Sequence, residues 1–114
     1  MASMVAASGP YALSGYEVIL DFSIPPWFLN TAKNILETRN IPLEYVVLRP
    51  SEKICAQRAA SRTEGAIPDY SAYHDFYVSF GEAERYMICD DTSTAFAIAS
   101  EIRKGIAEKL FHFS

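Results

Sequence analysis

The sequence predicts an α/β fold, a small three-stranded, mostly parallel sheet with flanking helices, in a single domain over residues 1–114. Three observations lead there. Short apolar runs alternate with amphipathic helical stretches, the order that βαβ units require. Those runs are continuous rather than interleaved with polar residues, which suits strands covered on both faces. Half of the chain is hydrophobic and 21% is charged, enough to build a core and unlike a disordered segment.

The elements come in this order. Met4–Leu13 predicts one or two helical turns, bent or ended at Gly9-Pro10 because proline lacks a donor and crowds the preceding turn. Gly15 reads as the stop before a first strand, Tyr16–Phe22 (YEVILDF). Ser23 can cap the next helix, and Pro25-Pro26 suit its first turn. Trp27–Thr38 predicts that helix, with Phe28, Ala32, Ile35 and Leu36 on one face. Asn40 is its left-handed terminator and Pro42 blocks continuation. Leu43–Leu48 (LEYVVL) is the second strand. Ser51 caps a helix to about Thr63, and Gly65–Pro68 is a loop. Asp69 opens a helix to about Phe80 with an aromatic stripe of Tyr70, Tyr73, Phe76, Tyr77 and Phe80. Arg85–Cys89 (RYMIC) is the third strand. Asp90-Asp91 end it, and Thr94–Leu110 predicts a last helix burying Phe96, Ala99, Ile102, Ile106 and Leu110.

Composition narrows the function classes. The net charge is −4, and the Lys and Arg residues form no basic run, so neither nucleic acid nor an anionic membrane is an expected partner. No apolar run approaches the ~20 residues of a membrane helix. The N-terminus lacks the positive start of a secretory signal. Cys55 and Cys89 have no metal-ligand spacing and read as reduced, buried thiols of a cytoplasmic protein. His74 and His112 stand apart from any nucleophile or second ligand and read as surface or packing residues.

Four stretches carry a resemblance. YEVILDF with IPPWFL, LEYVVLRP, the helix bearing QRAASR, and RYMICDDTS with its closing helix occur in an order that resembles the later part of P-loop kinases. Chloramphenicol phosphotransferase and the nucleoside monophosphate kinases are the nearest look-alikes. The stretches cover most of the chain from Tyr11 onward. The family's phosphate loop, G-x-x-x-x-G-K-[ST], has no counterpart, since all five glycines are isolated and none precedes Lys-Ser or Lys-Thr. The resemblance therefore implies a truncated P-loop-kinase-like fold whose loop-bearing half would precede Met1. In the family, the strand before that loop separates the two that resemble YEVILDF and LEYVVLRP. Its loss leaves edges unpaired, and a homodimer or higher homo-oligomer is expected.

The resemblance also supplies the candidate site. Asp21, at the end of the first predicted strand, matches a carboxylate that holds Mg²⁺ or orients the acceptor. The competing reading is a solvated cap of the Pro25-Pro26 turn. Trp27 lines an acceptor pocket or packs as a core or interface residue. Arg58 and Arg62, one predicted helical turn apart, clamp an anion as lid arginines do, or form a solvated face paired to Glu64 or Asp69. Arg49 faces the nucleotide base or merely ends a strand. Without the phosphate cradle, the expectation is a non-catalytic small-molecule-binding or self-association domain, with no cofactor of its own. The alternative is a phosphotransferase for a small hydroxylated metabolite or antibiotic. It would use ATP and Mg²⁺ only with a phosphate loop supplied from another chain or an upstream segment.

Overall fold

The computed structural model describes residues 1–114, and the chain is mixed α/β: five α-helices, short 3₁₀ turns, and strands in two two-stranded sheets. It divides into two compact units, Met1–Tyr45 with His112–Ser114, and Val46–Phe111.

In the first unit, α1 (Ala2–Leu13) runs through Pro10 instead of ending there. Proline costs the helix one donor, but the turn after it is held: the Ser14 amide and hydroxyl both donate to the Pro10 carbonyl, at 3.1 and 2.8 Å. Gly9 is buried because the Arg39 guanidinium lies against it, where a Cβ would stand. Gly15 ends the segment at φ +94°, a left-handed conformation that glycine adopts freely.

Pro25 and Pro26 then set up a 3₁₀ turn, Pro26–Phe28, that leads into α2 (Leu29–Glu37). The predicted face is the buried one. Val5 of α1 joins Phe28, Ala32 and Leu36 in the core, with Leu20, Ile24, Ile35, Ile41 and Leu43 packed around them. Asn40 ends the helix at φ +55°, as its terminator role predicts. β1 (Leu43–Glu44) pairs antiparallel with β4 (His112–Phe113) in the register Leu43↔Phe113 and Glu44↔His112. His112 Nδ1 lies 3.5 Å from Glu44 Oε1, whereas the buried Glu44 Oε2 has no partner.

Tyr45 is buried and its hydroxyl donates to the Ile24 carbonyl at 2.6 Å. Burial pushes its pKa up to about 12. The neutral phenol is thus favoured by folding, so this contribution is complete below the ordinary tyrosine value of about 10. It is lost as pH rises from about 10 through about 12. Wild-type stability is expected to fall across that window in denaturant titrations. Tyr45→Phe should fall less steeply and lose about 1 kcal/mol at neutral pH with the hydrogen bond.

The first two predicted strands do not form as expected. Tyr16–Phe22 forms no strand: no backbone–backbone hydrogen bond joins Glu17–Ser23 to any other part of the chain. A strand persists only where a neighbour supplies its ladder, and none reaches this segment. LEYVVL is likewise divided, with Leu43–Glu44 in one sheet and Val47–Leu48 in the other.

In the second unit, β2 (Val47–Leu48) pairs parallel with β3 (Met87–Ile88), register Val47↔Met87 and Leu48↔Ile88. The crossover contains α3 (Glu52–Ala60), a 3₁₀ turn at Ser71–Tyr73, α4 (His74–Ser79) and a kinked 3₁₀ stretch, Phe80–Tyr86. Ser51 caps α3 as predicted, accepting from the Ile54 amide at 3.4 Å. α3 ends at Ala60 rather than Thr63, where the Ser61 amide and hydroxyl both donate to the Gln57 carbonyl, at 3.1 and 2.8 Å. α5 (Ala95–Ala107) is capped by Thr94. Its predicted inner face is corrected too: Phe96 is 82% exposed, Ile106 and Leu110 are exposed, and Gly105 is the buried position. Phe111 is the reason, since its ring lies where a Gly105 Cβ would project. The chain reaches that position by a left-handed Lys109 (φ +60°) and a Leu110 amide bond to the Gly105 carbonyl, 2.9 Å.

Candidate functional site

The parallel pair in the second unit borders an open cleft. In open α/β sheets, ligands bind beyond the carboxyl ends of parallel strands. Here those ends are Arg49 and Cys89, adjoining in register, and the Arg49 amide extends the ladder by donating to the Ile88 carbonyl at 2.9 Å. Beyond them opens a cleft of about 490 Å³ lined by Arg49, Ser51, Tyr77, Cys89, Asp90, Asp91 and Thr92.

Each wall is fixed by identifiable contacts. The Arg49 guanidinium lies over the Tyr77 ring, its carbon 4.1 Å from the centroid. Nε and Nη2 of Arg49 donate to the Tyr77 carbonyl at 3.4 and 3.3 Å. Tyr77 is anchored in turn, its hydroxyl donating to the Pro50 carbonyl at 2.8 Å. Burial raises the Tyr77 pKa, opposed in part by the Arg49 charge. The phenol therefore stays neutral, and the stacked guanidinium has a rigid platform.

The opposite wall is the turn after β3. Asp90 Oδ1 accepts from the amides of Thr92 (2.9 Å) and Ser93 (2.8 Å), and hydrogen bonds from Ser93 and Thr92 hold its carboxyl below the usual carboxylate range. Asp91 Oδ1 accepts from the Ser51 amide at 2.6 Å, joining this turn to the start of α3. Arg58 Nη2 donates to the Asp91 carbonyl at 3.3 Å. Together, the cleft presents one guanidinium, two carboxylates, a thiol and an aromatic plane. Such a set of groups can donate and accept charge-assisted hydrogen bonds. The cleft lining contains no glycine.

The sequence-predicted residues fall differently. Asp21 is exposed within the unpaired Glu17–Ser23 segment. Trp27 is 70% exposed in the 3₁₀ turn and meets Phe28 edge-on, centroids 6.1 Å apart. Both belong to the first unit, and Arg58 and Arg62 to the second. Arg58 is in the last turn of α3, beside the cleft wall. Arg62 lies past the helix end, so the helical spacing expected to make the two arginines a clamp does not hold.

Other expectations are refined. Cys55 and Cys89 are both free thiols, but Cys89 is exposed, not buried. Burial raises the Cys55 pKa, with Arg58 opposing. His74 is paired rather than merely packed, its Nδ1 lying 2.9 and 2.7 Å from the two Glu52 oxygens. No group of three or more His, Cys, Asp or Glu is placed to hold a metal ion. No helix is long and apolar enough to cross a membrane.

The main site residues that sequence reasoning did not assign are Tyr77, Cys89, Asp90 and Asp91. The signal was present: Arg49 and Asp90 close the apolar runs LEYVVL and RYMIC, and the strand-end rule applies to them as it does to Asp21. Comparison with protein-family models, curated protein sequences and solved structures finds no match.

Proposed function

We propose that the chain is a non-catalytic, self-associating module that binds a small molecule, related to the acceptor-side part of P-loop kinases. The observation that carries the binding role is the cleft at the carboxyl ends of β2 and β3, with Arg49 stacked on Tyr77 facing the Asp90-Asp91 turn. The parallel crossover supports the kinase relation: β2 and β3 are joined through α3 and α4 in the order the resemblance implies. The third strand of that fold would be Tyr16–Phe22, given a partner. Phosphoryl transfer rests on positioning and charge stabilisation around the phosphates, and the sequence offers no glycine-rich loop to do this. Hence binding is proposed without catalysis.

The ligand class is set by the walls. A hydroxylated metabolite carrying one carboxylate or phosphate would meet Arg49 with its anion and the two carboxylates with its hydroxyls. Calorimetric titration of a panel of such metabolites, with Mg·ATP and Mg·ADP, tests this. Micromolar binding of a panel member is expected, weakened about tenfold or more in Arg49→Leu by loss of a charge-assisted bond. Arg62→Ala should bind as wild type. Silence of the whole panel to millimolar, or binding indifferent to Arg49, would remove this reading. Micromolar binding of Mg·ATP would instead favour the phosphotransferase.

A further inference from the structure

We propose that the cleft beyond β2 and β3 takes a small zwitterion, an amino acid, with its carboxylate on Arg49 and its ammonium on Asp90 and Asp91. This rests on the binding role proposed above and narrows the ligand class. A separation of charge carries it. One guanidinium and two carboxylates line the same cleft. Yet none of the three pairs with another, since the ion pairs of the chain are His74–Glu52 and His112–Glu44.

Each charge is held back by its own anchor. Arg49 lies over the Tyr77 ring, and its Nε and Nη2 both donate to the Tyr77 carbonyl. Asp90 Oδ1 is tied to the Thr92 and Ser93 amides. Asp91 Oδ1 is tied to the Ser51 amide, and its carbonyl to Arg58 Nη2. Opposite charges free to swing together would cancel. Charges anchored apart stay available to a ligand that spans them, and binding then has little left to order.

Donor chemistry selects that ligand. The two carboxylates outnumber the guanidinium, so the lining carries one negative charge in excess. A phosphate dianion would meet one attraction and two repulsions. A hydroxy acid would satisfy Arg49 but bring only neutral donors to the carboxylates. An ionised carboxylate only accepts hydrogen bonds, and bonds from Ser93 and Thr92 keep Asp90 in that state. An ammonium brings charge-assisted bonds, roughly twice as strong as neutral ones. It also offsets the excess charge.

Matched pairs of probes test this, each differing only by an amine in place of a hydroxyl: L-serine with L-glycerate, and γ-aminobutyrate with γ-hydroxybutyrate. In calorimetric titration at neutral pH, the amine of at least one pair should bind about tenfold more tightly than its hydroxyl twin. Asp91→Asn keeps an acceptor for the Ser51 amide. It should weaken that amine about tenfold and the twin less than about threefold. Equal binding within both pairs, or tighter binding of the hydroxyl members, would overturn the zwitterion and leave the hydroxylated-acid reading in place. Equal losses for both members in Asp91→Asn would overturn the placement of the ammonium. Silence of all four probes to millimolar would also overturn this inference, while a phosphorylated or other hydroxylated ligand that still bound through Arg49 would uphold the binding role.

Discussion

Replacing Phe28 with alanine is expected to remove about 3–5 kcal/mol of stability, the range for deleting a buried aromatic side chain. Phe28 is the largest buried member of the cluster with Val5, Ala32 and Leu36. α1 and α2 meet there, so the vacated space cannot collapse without moving one of them. Typical domains are stable by only about 5–15 kcal/mol, so this one change approaches unfolding. Far-UV circular dichroism during guanidinium titration follows the loss, since α1 and α2 both adjoin this cluster. Phe28→Leu keeps most of the volume and should cost less than half as much. A loss below about 1 kcal/mol for the alanine variant would mean that this cluster does not hold the first unit together.

The second prediction reverses a familiar rule. Glycine within a helix usually costs about 1 kcal/mol relative to alanine, so Gly105→Ala in α5 would ordinarily stabilise. Here the new methyl would overlap the ring of buried Phe111. An aromatic ring cannot give way as the end of a flexible chain can, and overpacking of this kind costs about 1–3 kcal/mol. The net expectation is a loss of about 1–2 kcal/mol by thermal or denaturant unfolding. In a Phe111→Ala background the sign should invert, and Gly105→Ala should then stabilise. That double-mutant cycle separates a clash from a helix-propensity effect.

These contacts show where sequence reasoning succeeds. The Ser51 cap, the left-handed Asn40, the Gly15 stop and the inner face of α2 were all legible, because each is fixed by neighbours within one or two turns. The apolar stripe of α5 was legible as a pattern, but a pattern does not say what covers it. Phe111, just beyond the helix, claims Gly105 instead. Tyr16–Phe22 has strand composition but no ladder, since pairing depends on a second backbone that composition cannot supply. LEYVVL read as one strand, because hydrophobicity does not record a change of neighbour at Tyr45. The cleft was half legible. Arg49 and Asp90 were visible at strand ends, whereas the Tyr77 platform exists only because the crossover returns to the guanidinium.

The pairing of β1 with β4 has a consequence for the order of folding. Glu44 meets His112 across roughly 70 intervening positions, and every residue of the second unit lies between them. α1 and α2 can pack as soon as they are made, and β2 can find β3 after roughly 40 residues. β1 must wait until residues 112 and 113 leave the ribosome. The unit that begins first is therefore completed last, by a two-residue latch, and Leu43 and Glu44 stay open to other backbones until it closes.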